Sequence, residues 1–211
     1  MLNIRKGTPA PSARRRAAED ASWSEVTAPE TLEMRRALSE EQHGLCAYCT
    51  RQVSAEILAD GKPGSTIEHW HARANGGPHF EWSNLLLVCR GDLPGGPHCD
   101  KSRGDTSLTL CPADPRCDVE ALVSFGLDGK AKSTHDADIT TLNLNHALLS
   151  QGRRQVVDAV LAQATPLDLT GLRKMERAWS EPKERAAVAL PLIRRRIRPL
   201  EGVSARTRGA H

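Results

Sequence analysis

Thr66-Ile67-Glu68-His69-Trp70 stands between two sets of cysteines, Cys46-Ala47-Tyr48-Cys49 before it and Cys89 with Cys99 after it. This arrangement decides how the chain is read. Cys46 and Cys49 form a tight pair two residues apart, and Cys89 and Cys99 fall at the far side of the same segment. Four thiolates can therefore converge on one tetrahedral Zn2+. The nine residues between Cys89 and Cys99 are unusual, because the second pair of such a knuckle is more often two residues apart. A loop-rich segment with few large apolar side chains needs a staple of this kind, so zinc binding is expected to be coupled to folding. The competing reading is four unrelated buried thiols. Cys111 and Cys117 lie outside the set and are read as structural.

Around the cysteines the sequence is punctuated by turns at Asp60-Gly61, Pro63-Gly64, Asn75-Gly76-Gly77-Pro78 and Pro94-Gly95-Gly96-Pro97, which implies short strands and loops. Upstream, Leu32, Arg35, Arg36 and Leu38 space out a helix from about Thr31 to His43, with Gly44 in the C-cap position. Residues 1–29 carry Pro9, Pro11 and Pro29 among small and charged residues and read as an extended arm that orders only against something else. Downstream, Val119 to Phe125 alternates as a strand, and Asp128-Gly129 turns it into a hairpin. From Ile139 the spacing becomes helical through Leu148, Val157 and Leu161, and a further helix follows from Leu169 to Trp179. A last helix is expected from Glu181, capped by Ser180, with Pro182 in its first turn and Pro191 interrupting it.

The expected fold class is thus α+β. It comprises an N-terminal arm (1–30), a zinc-knuckle domain (31–135), a helical module (136–200) and a basic tail without fixed structure (201–211). At 211 residues the chain can bury a real core. No apolar run approaches the roughly 20 residues that span a bilayer, and no basic start is joined to an apolar stretch. A cytoplasmic protein with no membrane partner is expected.

A net charge of +3 is weak evidence for a polyanionic partner, but the distribution is uneven. Arg14, Arg15 and Arg16 crowd one end, and Arg194, Arg195, Arg196, Arg198, Arg206 and Arg208 the other. Aromatics at 3% argue against base-stacking as the mode of binding, so phosphate contacts would dominate.

The chemistry is placed at Glu68-His69. Hydrolysis of a phosphodiester needs an activated water, a sink for charge on the phosphate and stabilisation of the departing oxygen; a neutral His with one Mg2+ or Mn2+ supplies all three. His69 is the general base, and Glu68 binds the ion directly or through water. Because adjacent strand side chains face opposite ways, the two share a site only where the strand bends or the ion sits at its edge. Asp100, fixed beside Cys99, is the second ligand.

Cys46-x-x-Cys49, Glu68-His69, Asn84 before an apolar stretch and Cys99-Asp100-Lys101-Ser102-Arg103-Gly104-Asp105 together resemble the HNH (ββα-metal) endonuclease motif in its zinc-containing form. The resemblance covers about 60 residues. It implies a β-hairpin followed by a helix clasping one catalytic metal, with His69 as base, Asn84 tying the hairpin loop and Asp100 standing where the family more often has His or Asn. Arg103 falls where the family often has Lys, and with Lys101 it is the expected phosphate contact. More loosely, most of the chain is similar to the HNH subunit of Septu-type and retron-linked antiphage defence systems. The resemblance rests on the long Cys89 to Cys99 gap, Leu142-Asn143-Leu144-Asn145 and Arg153-Arg154 in the helical tail. It implies a nucleic-acid substrate, DNA before RNA, and an ABC-like ATPase partner docked on the N-terminal arm or the helical tail.

His71, His79 and His98 read as exposed loop residues, and Asn84 reads alternatively as a helix cap before Leu85, Leu86 and Leu87. The rival from another class is a zinc-ribbon module that binds nucleic acid or protein and cleaves nothing.

Overall fold

The computed structural model describes residues 1–181 and 183–208. Among them the chain is α+β, with two small antiparallel sheets and eight α-helices. No helix of the described residues is long and apolar enough to cross a membrane.

The residues 1–30 are not extended. Helix α1 (Pro11–Ala18) and a 3-10 turn (Trp23–Glu25) form there, and Met1 and Ile4 are buried in the cysteine core. Pro11 starts a helix here because the first helical residue has no intrahelical use for its N–H. Ala10 and Ala13 pack on helix α2 (Ala28–Glu41), and Arg15 and Arg16 ion-pair with Glu30 at 2.5 and 2.9 Å. These arginines are ion-paired within the fold instead of forming a free basic arm. Helix α2 begins three residues before the expected Thr31 because Thr27 and Glu30 form a capping box, each bonding the other's main-chain N–H, with Pro29 in the first turn. Its Met34 and Leu38 are fully buried, and it delivers the chain to Cys46.

Strands β1 (Thr66–His69) and β2 (Leu85–Val88) pair antiparallel, with Glu68 opposite Leu86 and His69 opposite Leu85. Strand β2 is buried on both faces. Leu86 and Val88 enter the core that holds the four cysteines, whereas Leu85 and Leu87 enter the core under α2. Side chains directly opposite in an antiparallel pair share a face. Glu68 is therefore turned toward the cysteine core and His69 toward the N-terminal segment. Asn84 ends a 3-10 turn ahead of this strand, so it caps no helix.

The outer edge of β2 is occupied by a side chain. The buried Gln42 amide donates to the Leu87 carbonyl at 2.7 Å and accepts from the Leu87 N–H at 2.8 Å, reproducing the exchange of a neighbouring strand.

One turn of helix, α3 (Asp100–Arg103), follows Cys99. The expected strand from Val119 is a helical turn first, α4 (Val119–Leu122), because the Asp118 carboxylate accepts from the Ala121 N–H. Strand β3 is confined to Val123–Phe125 and pairs with β4 (Ala131–Ser133). Gly129 turns this hairpin at φ +78°, and an added Cβ would lie 2.1 Å from the Ser150 carbonyl oxygen.

Helices α5 (Asp136–Thr141), α6 (Ala147–Ala164), α7 (Leu169–Ser180) and α8 (Ala186–Arg208) complete the chain, the last three around Val160, Leu172, Ala189 and Ile193. Helix α8 starts at Ala186, later than the expected Glu181; Pro182 lies outside the described residues. It continues through Pro191 and Pro199, which are exposed, so water can satisfy the carbonyls their rings leave unpaired. Fixed structure also extends past residue 201, to Arg208, where an unstructured tail was expected. An Arg173–Glu201 ion pair ties α8 to α7 at that point. Residues 209–211 of that tail lie outside the described residues.

Candidate metal centre and the residues beside it

The turn after α2, the end of β2 and the residue before α3 bring Cys46, Cys49, Cys89 and Cys99 together. Their sulfurs all lie within 4.8 Å of one another and all four residues are buried. Cys46 and Cys99 are 3.9 Å apart, and Cys49 and Cys89 3.8 Å. A tetrahedron of Zn–S bonds of about 2.3 Å has edges near 3.8 Å, so these two pairs already have the spacing of a zinc cage. The turn is locked locally: the Cys46 N–H donates to the Arg51 carbonyl, the Thr50 N–H returns to the Cys46 carbonyl, and Thr50 takes φ +59°. Cys99, at φ +54°, is anchored from the helical module by its N–H to the Leu142 carbonyl at 2.8 Å.

Four thiols in one buried spot cannot all ionise without a cation. Burial raises the Cys46 thiol, but hydrogen bonds from Cys49, Cys89 and Cys99 hold it well below the usual value. The bond to Cys46 pushes Cys89 up, and burial does the same to Cys99. A divalent ion that accepts soft thiolates removes this conflict, and Zn2+ fits the donor set. Cys111 and Cys117 are half-buried free thiols outside the cage.

His98 is buried, not exposed as its loop context suggested. Its Nδ1 lies 3.2 Å from the Cys99 sulfur and 3.7 Å from the Cys89 sulfur. Arg153, also buried, donates to the Gly129 and Leu144 carbonyls; burial lowers it to about 10 while the charge of Cys49 and Cys99 holds it up. A cationic side chain beside the cage offsets the charge that four thiolates carry.

At the end of β1, Glu68 Oε1 accepts from the Tyr48 hydroxyl at 3.1 Å and from Arg103 Nη1. Among the described residues no donor reaches Glu68 Oε2. Burial and the neighbouring Asp100 carboxylate push Glu68 up to about 8, against Arg103 and Tyr48, which favour its charged form. Asp100 is half-buried in the first position of α3. A buried carboxylate raised by a second one beside it marks a pair of oxygen donors of the kind that a hard divalent ion takes.

Arg103 faces inward. It donates to the carbonyls of Thr106, His69 and Trp70 as well as to Glu68, and its side chain is 0% exposed. It is thus enclosed instead of presented to a phosphate, and its bonds tie the end of β1 to α3. Lys101 is exposed.

His69 lies on the opposite face of β1. Its Nε2 meets the His79 carbonyl at 3.0 Å, and the Trp23 ring stands edge-on to it at 4.5 Å between centroids. Burial lowers the imidazole to about 4, so it is neutral at pH 7. A neutral ring facing a carbonyl must place its proton on Nε2, which leaves the Nδ1 lone pair free to accept. Nδ1 has no hydrogen-bond partner among the described residues and is not one of the unpartnered atoms sealed from solvent.

Asn84 closes the loop between the strands. Its Oδ1 accepts from the His71 N–H at 2.7 Å, and its Nδ2 donates to the carbonyls of His71 and Pro78 at 3.1 and 2.9 Å. His71 is exposed; His79 is half-buried and accepts from the Trp23 N–H.

The structure thus brings Glu68 and Asp100 together next to the cysteine cage, sets His69 on the far face of the same strand end, and withdraws Arg103 from solvent. Sequence reasoning missed Tyr48, Trp23 and His98. Tyr48 carried a signal, being the single tyrosine of the chain and lying inside the Cys46–Cys49 pair. Trp23 is separated from His69 by most of the domain and carried none. No protein-family model matches this sequence, and no curated protein matches it.

Proposed function

We propose that this chain is a metal-dependent endonuclease of the HNH type that hydrolyses phosphodiester bonds, with Zn2+ at Cys46, Cys49, Cys89 and Cys99 as its structural ion. The observation that carries the reading is the conjunction at one strand end. A neutral imidazole with a free Nδ1 and a carboxylate pair stand on the two faces of one strand end, and both are mounted on a hairpin followed by a helix. The divalent ion, Mg2+ or Mn2+, would be held by Glu68 through Oε2 and by Asp100, and when bound it supplies charge stabilisation on the phosphate and the departing oxygen. Every other step belongs to the chain. His69 Nδ1 takes the proton of the attacking water, and the His79 carbonyl holds the ring in the tautomer that can do so. Arg103 and Tyr48 aim the Glu68 carboxylate, and Asn84 fixes the loop that carries His79. Exposed Lys101 and the α8 arginines Arg195, Arg196 and Arg198 are the phosphate contacts that remain beside the enclosed Arg103.

DNA is the preferred substrate over RNA, and an ABC-like ATPase encoded alongside is the proposed partner, in an antiphage role. With residues 1–30 packed into the fold, docking falls to the helical module. The test is cleavage of plasmid DNA and of total RNA with Mg2+ or Mn2+, alone and with the partner, with His69→Ala as control. Metal-dependent cutting that disappears in the variant is expected. No cutting under any condition, with zinc bound and the partner present, would move the assignment to a zinc module that binds and does not cleave.

A further inference from the structure

His98 and His146 each carry a ring nitrogen that is sealed from solvent and has no hydrogen-bond partner, Nε2 in both cases. The residues are 1% and 5% exposed, and their ring centroids are 5.6 Å apart. Two orphaned nitrogens on neighbouring buried rings leave a polar gap that costs free energy unless something closes it. The other nitrogen of each ring is engaged, and those engagements fix where the protons are.

His146 is the N-cap of α6, and its Nδ1 accepts from the Leu148 N–H at 3.2 Å. An accepting nitrogen carries no hydrogen, so the neutral ring has its proton on Nε2. His98 presents Nδ1 to the sulfurs of Cys99 and Cys89. Thiolates bound to zinc can only accept, so His98 carries its proton on Nδ1 and offers a lone pair at Nε2. The donor at one orphaned nitrogen thus answers the acceptor at the other. Gly95, at φ +100°, fits beside this pair: a Cβ there would lie 3.4 Å from His146 Nε2.

We propose that His98 and His146 form a one-way hydrogen-bond chain from the Leu148 N–H at the start of α6 to the Cys99 thiolate. The chain is closed between the two Nε2 atoms by one bridging water. It makes His98 and His146 positioning residues of the metal centre, which orient the thiolates and tie the helical module to the zinc cage. This inference rests on zinc occupying the four cysteines.

The experiment has three readouts on the full-length zinc-loaded protein. Metal content is expected to be one zinc per chain. A second zinc that persists in Glu68→Gln, where the carboxylate pair is lost, would mean that the imidazoles hold an ion of their own, and none would remove the thiolate acceptors; either overturns the chain, and only the second also overturns the zinc reading. Long-range 15N NMR of the histidines is expected to show His98 protonated at Nδ1 and His146 at Nε2; any other pair of tautomers overturns it. His146→Ser keeps a helix cap but is too short to reach His98. It is expected to retain helicity and lose zinc to a chelator about 10-fold faster, with a shifted thiolate-to-metal charge-transfer band after Co2+ substitution. Unchanged release and an unchanged band overturn the proposal.

Discussion

The Nε2 of His69 and the main-chain oxygen of His79 are 3.0 Å apart, which fixes the imidazole in the tautomer whose Nδ1 can accept a proton. Replacing His69 with Ala is expected to leave zinc content and fold in place and to lower cleavage by about 100-fold or more, the usual contribution of a general base. Single-turnover cleavage of labelled DNA measures it. Retained activity would remove His69 from the chemistry.

The same imidazole makes stability depend on pH. Its folded value, about 4, lies below the ordinary 6.5, so between those values the unfolded chain binds the proton more readily. The contribution is fully present above about 6.5 and is lost as pH falls toward 4, reaching at most about 3 kcal/mol. Thiolate protonation acts over part of this window, so the quantity to measure is the difference in unfolding free energy between the wild type and His69→Gln. A difference that is flat from pH 7 to 4.5 would contradict the burial of this ring.

Removal of zinc should unfold the first domain. Cys46→Ser, or a strong chelator, is expected to abolish the metal content and the cooperative transition together, because the segment has little else to order it. Circular dichroism with metal analysis reads both. A folded, metal-loaded Cys46→Ser protein would mean that the cage is not a metal site.

Arg103→Lys separates bracing from substrate contact. A lysine has three donors on a point charge and cannot serve three carbonyls and a carboxylate at once. The variant is expected to lose about 3 kcal/mol of stability, as when a buried pair is broken, with the salt dependence of DNA binding unchanged. A lower salt slope at unchanged stability would instead restore Arg103 as a phosphate contact.

Asn84→Asp should be worse than Asn84→Ala. Alanine deletes three hydrogen bonds to the loop, about 1 to 3 kcal/mol for the groups left unmade. Aspartate keeps the acceptor for the His71 N–H but aims an anionic oxygen at two carbonyls. Urea unfolding of both variants checks the order.

The α+β class and the cysteine cage were legible because residue type and spacing carry them: four thiols in one turn-rich segment have few other uses, and Asp128-Gly129 marks a hairpin by itself. The N-terminal segment differs from its composition because prolines break helix interiors, whereas Pro11 and Pro29 both occupy first turns, where proline is favoured. The capping box Thr27-Ala28-Pro29-Glu30 was present in the sequence and would have moved the helix start. Arg103 and His98 were misplaced for a different reason. No pattern in one dimension reports that such a side chain is enclosed: the partners of Arg103 include the Tyr48 hydroxyl and the His69 carbonyl, 55 and 34 positions away, and the Cys99 sulfur beside His98 is buried only by the fold.

Gln42 gives the hairpin a property unrelated to chemistry. A two-stranded sheet with a run as apolar as Leu85-Leu86-Leu87-Val88 is an invitation to intermolecular strand addition, since its free edge offers a ready template. With the Gln42 amide and the Ala47 N–H both on Leu87, no unpaired main-chain group is left there for a strand of another molecule to use.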